Sequence, residues 1–408
     1  APVISDCVFL YNNAGEGGGA INLGCYSDDA LFDQAIVKNC YFANNKSWYA
    51  DDTYYGGGAV KISGYSDALV KNCVFVGNSS LSQGGAMIVS GYAQPFIVNN
   101  LFINNSAVHN GGAVALKYYA GGYHINNTVV GKDADNDGGA YSIGCDNDSC
   151  FFANNIIFAN TDFDNDYDQV YINTEDNQMK FYNNNIQGGL GMYSAIIQLD
   201  NISEDPMMLD PIVGDFRLAC GSPCIDAGMD TLNYFPVLDI VGVPRLVNGV
   251  YDMGACETQL ALPVNLGDDI AICDGLTAIL DASENYSTYL WSTTEETQTI
   301  EVGSEGTYSV TVANEYLCEA TDDIELSVNP LPVVDLGENQ IIDDTQSIEL
   351  NAGEFEDYLW NTDETSQMIT VDGTVLGVGV YDYSVTVTDI NGCEGSDECL
   401  IEVQKKLD

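Results

Sequence analysis

Gly-Gly-Ala recurs as Gly18-Gly19-Ala20, Gly57-Gly58-Ala59, Gly84-Gly85-Ala86, Gly111-Gly112-Ala113 and Gly138-Gly139-Ala140, and the last three intervals are each 27 residues. A second motif interleaves with it: Asn or Asp, then Cys or Asn, then an apolar residue two further on. It reads Asp6-Cys7-Val8-Phe9, Asn39-Cys40-Tyr41-Phe42, Asn72-Cys73-Val74-Phe75, Asn99-Asn100-Leu101-Phe102 and Asn126-Asn127-Thr128-Val129. A fixed period of this length built from short strand-like runs is the mark of a solenoid. After each Gly-Gly-Ala the apolar residues alternate, as in Val60 and Ile62 or Val114 and Leu116, which predicts strands with one buried face. No stretch sustains a helical period. The expectation is a parallel β-helix whose coils stack about 4.8 Å apart. Asn39, Asn72, Asn99, Asn126 and Asn154 then form a column at a bend. Cys7, Cys40 and Cys73 stack just inside it as buried thiols, beside Phe9, Phe42, Phe75 and Phe102.

The Gly-Gly-Ala-[Ile/Val] and Phe-x-x-Asn elements (Phe9 to Asn12, Phe42 to Asn45, Phe75 to Asn78, Phe102 to Asn105) resemble the repeats of chlamydial polymorphic outer-membrane proteins. The resemblance covers roughly the first 160 residues and implies a right-handed helix. Further on, Asp205-Pro206-Met207-Met208-Leu209-Asp210-Pro211, Gly221-Ser222-Pro223-Cys224-Ile225-Asp226-Ala227-Gly228 and Asp252-Met253-Gly254-Ala255-Cys256-Glu257 resemble the C-terminal segment of secreted choice-of-anchor Q β-helix proteins. That implies a last coil and its cap, with Asp226 and Arg245 structural.

From about Leu262 two units align with each other. Tyr289-Leu290-Trp291 matches Tyr358-Leu359-Trp360, and Tyr308-Ser309-Val310-Thr311-Val312 matches Tyr383-Ser384-Val385-Thr386-Val387. Short alternating strands with one central Trp predict two small β-sandwiches. They resemble immunoglobulin-like modules of secreted and gliding-motility-associated Bacteroidota proteins. The expected chain is therefore all-β: a parallel β-helix with its cap over 1–258, then Ig-like sandwiches over 259–330 and 331–408.

Eleven basic residues against sixty-one acidic ones give a net charge of −50. Nucleic-acid binding needs a basic footprint and is excluded; docking on anionic membranes is disfavoured. No apolar run is long enough to span a bilayer. Thirteen cysteines suit an oxidising, extracellular setting. The expected disulfides are Cys145–Cys150, Cys273–Cys318 and Cys393–Cys399, while Cys220, Cys224 and Cys256 form a cluster whose pairing stays open. Ala1-Pro2-Val3-Ile4 leads straight into a strand motif, so a processed precursor or a piece of a longer chain is expected. The first coil is expected to be covered by upstream coils or by another copy.

Three constellations invite function. Catalysis on glycans needs a basic residue beside acidic sugar, or paired carboxylates flanking a bond. No motif gathers such a set, so no enzyme is expected. The loop Asp133-Ala134-Asp135-Asn136-Asp137-Gly138 starts like an EF-hand but has Gly144 where the bidentate Glu belongs. Asp133, Asp135 and Asp137, with Asp164 and Asp166, are read instead as irregular Ca2+ loops. Tyr26, Tyr65, Tyr92 and Tyr119 share one place in successive coils, and Trp48 and Tyr54 lie in the longest insertion. This aromatic set suits stacking on glycans or on a partner. The expected function is an extracellular structural or adhesive surface protein, a segment of a large adhesin or a filament subunit. Its partners are then other copies, neighbouring segments or surface glycans. The alternative is a glycan-binding or glycan-cleaving β-helix.

Overall fold

The structure is a computed structural model, and it describes residues 2–25, 35–48, 56–131, 134, 138–144, 150–161, 169–173, 179–190, 196–229, 237–246, 249–258 and 264–406. Two compact units emerge. One holds Ala1–Leu260 with Tyr316–Cys318, the other Ala261–Glu315 with Glu319–Asp408.

The first unit is a parallel β-solenoid. Successive coils add one strand each to a first sheet of eight strands (Val3–Ser5 to Ile196–Leu199) and a second of seven (Val8–Leu10 to Asn185–Ile186). A fourth sheet of six runs from Ile21–Cys25 to Val170–Ile172, and a narrow third sheet of four begins at Asn13–Ala14. Register is strict. Phe9, Phe42, Phe75 and Phe102 are paired neighbours, and their rings stack at 4.8 Å with planes within 5°. The interior is one apolar column system from Ile21 to Ile186.

The recurrent glycines have a steric cause. The first of the pair takes positive φ at Gly57 (78°), Gly84 (63°), Gly111 (72°) and Gly138 (73°), where side chains are strained. The second faces the backbone of the next coil. A Cβ on Gly58 would collide with the Gly85 carbonyl, and one on Gly85 with that of Gly112.

The asparagines solve the bends. Asn39, Asn72, Asn99, Asn126, Asn154 and Asn183 all sit at φ between 52° and 60°, a left-handed conformation that Asn tolerates better than most residues. Inside this column a second one carries the stronger bonding. Asn127 Nδ2 donates to Asn155 Oδ1 (3.0 Å) and to Ile97 O (2.8 Å), while its Oδ1 accepts the Asn100 backbone N–H (3.0 Å). The pattern continues through Asn155 and Asn184 to Asn201. A third column, Asn12–Asn45–Asn78–Asn105, repeats the same bonds at the next bend. It is the Asn of the Phe-x-x-Asn element, so that element encodes an interior stack and its hydrogen-bonded neighbour.

The segment after residue 205 departs from expectation. Instead of serving only as an end cap, it forms a strap along the side of the stack. Phe216, Met208, Ile240 and Ala255 cover the outward face of the second sheet, against Leu101, Val130 and Phe158. The bend column then supplies partners: Asn126 Nδ2 reaches the carbonyls of Asp252 and Gly254 (both 3.3 Å), and Asn183 Nδ2 that of Ala227 (3.0 Å). Asn99, with its amide oriented to suit its neighbours, donates to Ala255 O (3.0 Å) and accepts from the Ile240 N–H (3.1 Å). Arg245 is fully buried under the strap. It donates to Asp252 O (3.1 Å) and Gly254 O (3.0 Å) and faces Glu257 at 3.5 Å.

The second unit holds two sandwiches of the same plan, each a four-stranded and a two-stranded sheet. Trp291 and Trp360 are buried at their centres. Each indole N–H donates to a carbonyl six residues on, Thr297 O and Ser366 O, both at 2.8 Å. The described helix is one turn, Gly373–Leu376.

Two expected disulfides are corrected. Cys273 bonds Cys393, not Cys318, and so joins the two sandwiches; Cys318 bonds Cys220. Cys273 pairs in the sheet with Asn329, at the far end of the strand that Cys318 precedes. Eleven extended residues separate those ends, about 35 Å. Cys393 and Cys399 fail as a pair for the same reason, since an extended strand carries Cys399 away, into the core as a free thiol. Cys150 is disulfide-bonded; Cys145, its expected partner, lies outside the described residues. Cys224 and Cys256 are free and buried.

Candidate functional site

Where the fourth sheet turns into the first, three successive coils bend through a left-handed residue: Gly64 (73°), Gly91 (74°) and Tyr118 (56°). The next position is Tyr65, Tyr92 and Tyr119. The three rings stack at 5.1 and 5.2 Å with planes 7° apart, and each residue is 40–48% exposed. The structure thus brings together three of the four tyrosines expected to form one column. The ring faces are spent on one another, so the flank presents a row of ring edges, hydroxyls included, at one-coil intervals.

A second column, not foreseen from the sequence, lies a few residues further along each coil. Phe96 and Tyr123 stack at 4.7 Å, and Phe151 follows at 5.7 Å, tilted. Its signal was the pairing of Phe96, Tyr123 and Phe151 on the solvent side of their strands. That alternation is hard to see among so many aromatic residues. Trp48 stands apart from both columns, 57% exposed on another bend and close to Gly15. Tyr26 and Tyr54 lie outside the described residues.

The expected calcium ligands Asp133, Asp135, Asp137, Asp164 and Asp166 also lie outside the described residues. Among the described residues no three His, Cys, Asp or Glu side chains gather as metal ligands.

The titratable groups inside the first unit are held in their places by packing. His124 lies in the core, stacked on Phe152 at 4.5 Å and edge-on to Tyr141 at 5.5 Å. Neither ring nitrogen has a hydrogen-bond partner. Burial pushes its pKa down to about 3, so it stays neutral and sealed from any substrate. The Tyr141 hydroxyl beside it is likewise unpartnered, and burial raises its pKa. In the thiol column the neighbouring Cys73 thiol draws Cys40 down, while burial pushes Cys73 up. Under the strap burial raises Glu257 to about 9, with Arg245 pulling it back.

One cavity of the first unit opens between the strap and the second sheet. It measures about 390 Å3 and is walled by Ile103, Val130 and Phe158 on the coils and by Met207, Met208 and Phe216 on the strap.

No protein-family model matches the chain, and no curated protein does. Among solved structures it is similar to the insect immune protein hemolin at 14% identity, covering 35% of this chain and 46% of that one, with a TM-score of 0.22. It is also similar to SGBP-B of the Bacteroides ovatus mixed-linkage glucan utilization locus, solved with a mixed-linkage heptasaccharide. Identity there is 15%, coverage 34% and 43%, and the TM-score 0.14. The chain spans less than half the length of either.

Proposed function

We propose that this chain is an extracellular structural and adhesive module, a stiff coil stack with a partner-binding flank and two sandwich modules, and that it is not an enzyme. The observation that carries the reading is the Tyr65–Tyr92–Tyr119 column, a periodic exposed aromatic edge on a scaffold whose interior positions are fixed by ladders. Exposed aromatic rows are docking surfaces, because they bury much area at little entropic cost. The disulfides support an oxidising environment, and no described helix is long and apolar enough to cross a membrane. Surface glycans and further coils of the same repeat are the partners this reading supplies. Calcium on the Asp133–Asp137 and Asp164–Asp166 loops would offset part of the −50 charge.

The test is adhesion of beads coated with residues 1–408 to a glycan array and to a surface bearing the same protein. The triple variant Tyr65→Ala, Tyr92→Ala, Tyr119→Ala is expected to lose at least fivefold in retained beads. Retention equal to the parent, or release of sugar from the array, overturns the proposal.

A further inference from the structure

The bend column that borders the second sheet runs through Tyr11, Asn44, Gly77, Asn104, Gly131 and Ala159, all at left-handed φ. Gly131 and Ala159 put little side-chain volume beside Phe158, and where the strap passes over them it leaves the cavity of about 390 Å3. That size falls within the roughly 300–1,000 Å3 of small-molecule sites.

Its chemistry is one-sided. The coil wall brings Phe158, and the strap wall brings Met207, Met208 and Phe216. Aromatic faces and thioethers are polarisable, and both attract cations and aromatic rings. Among the described residues the lining has one ionisable side chain, Asp205, and no basic one. Asp205 Oδ1 accepts the Met207 N–H at 2.9 Å, which fixes the carboxylate at the rim and leaves Oδ2 for a ligand. Asn104 is the other polar side chain. Two such groups at the rim offer little to the several hydroxyls of a sugar ring, which the apolar walls would strip of water without replacing it. An anion would meet both Asp205 and the field of a chain with net charge −50. A wholly apolar ligand would leave the carboxylate unused.

We infer that this cavity is a binding site for a small amphipathic organic cation, an ammonium group on an aromatic or aliphatic body. The ammonium sits at Asp205, and the body lies between Phe158 and Phe216 against the two methionines. The site shares no residue with the tyrosine column, so it stands or falls independently of the adhesive reading.

Three probes of nearly one shape decide the matter by calorimetry on the whole chain: phenethylammonium, 2-phenylethanol and 3-phenylpropionate. Phenethylammonium is expected to bind at least tenfold more tightly than the alcohol, and the carboxylate not at all. Asp205→Asn keeps the shape and an acceptor for the Met207 N–H. It is expected to lower amine affinity at least tenfold and to leave the alcohol unchanged. The triple tyrosine variant is expected to bind the amine like the parent. Equal affinity for amine and alcohol overturns the inference. So does an Asp205→Asn protein with unchanged melting temperature and undiminished amine binding.

Discussion

The inner bend column is built twice, from thiols in the first coils and from amides in the later ones. Cys7, Cys40 and Cys73 hold the position that Asn100, Asn127, Asn155, Asn184 and Asn201 hold afterwards. Both chemistries send a donor to a carbonyl of the preceding coil. Cys73 Sγ reaches Val37 O at 3.8 Å, besides Lys71 O of its own coil at 3.3 Å; Asn100 Nδ2 reaches Val70 O at 3.1 Å. The amide also accepts a backbone N–H through its oxygen and passes a hydrogen bond along the axis, whereas sulfur is weak in both roles. A solenoid position is therefore defined by what the ladder requires, one donor and one acceptor per coil, and different side chains meet that need at different strength.

The sharpest test of this difference is Asn127→Ala set beside Cys40→Ala. Loss of the buried amide strips bonds from Asn100, Ile97 and Asn155 together, and should cost about 3 kcal/mol. Loss of the thiol should cost about 1 kcal/mol. Chemical denaturation of both variants measures the ratio, and equal losses would break the comparison.

Acid should probe the amide half next, through His124. Its folded pKa of about 3 lies below the ordinary 6.5, so the unfolded chain binds a proton that the folded one refuses. Stability must then fall as pH drops from about 6.5 towards 3, by up to about 1.4 kcal/mol per pH unit. Glu257 acts in the opposite sense. Raised from 4.5 to about 9, it costs stability as pH rises through that window. His124→Phe, which extends the Phe152–Phe181 stack, should flatten the acid limb of a melting-temperature profile. An unchanged acid limb would place the titrating group elsewhere.

Extending the amide column should help where the thiols now stand. Cys73→Asn is expected to gain about 1 kcal/mol, read as a higher denaturation midpoint at constant slope; a loss would mean that the thiol coils are too narrow for an amide. The smallest effect belongs to the outer flank. Tyr92→Ala removes two stacked pairs at a half-exposed site and should cost about 1 kcal/mol or less, visible as a small shift in melting temperature.

The period made most of the solenoid legible. Asn72 and Asn99 announced the left-handed bends, Phe42 and Phe75 the interior stack, and Trp291 and Trp360 the sandwich cores. The buried role of Asn45, Asn78 and Asn105 was missed, although their spacing repeats that of the phenylalanines. The strap was not legible, because the contact of Ala255 with Thr128 follows no repeat. Nor were Cys273–Cys393 and Cys220–Cys318, since spacing along a chain carries no information on which strand ends meet. Of the candidate site, the tyrosine register could be read off the sequence. The cavity could not, because it arises where a segment distant in sequence passes over the coils.

The strap also sets an order of events. Coil-to-coil bonds join residues about one repeat apart, so each coil can settle on its predecessor as the chain emerges. The bonds of Asn126 to Asp252 and of Thr128 to Ala255 span 126 and 127 residues. Until that later sequence arrives, Leu101, Val130 and Phe158 have no cover on the outer face of the second sheet. A nascent chain therefore carries an apolar stripe for about half the length of the solenoid unit. Its hazard during synthesis is aggregation of a stack that is already wound.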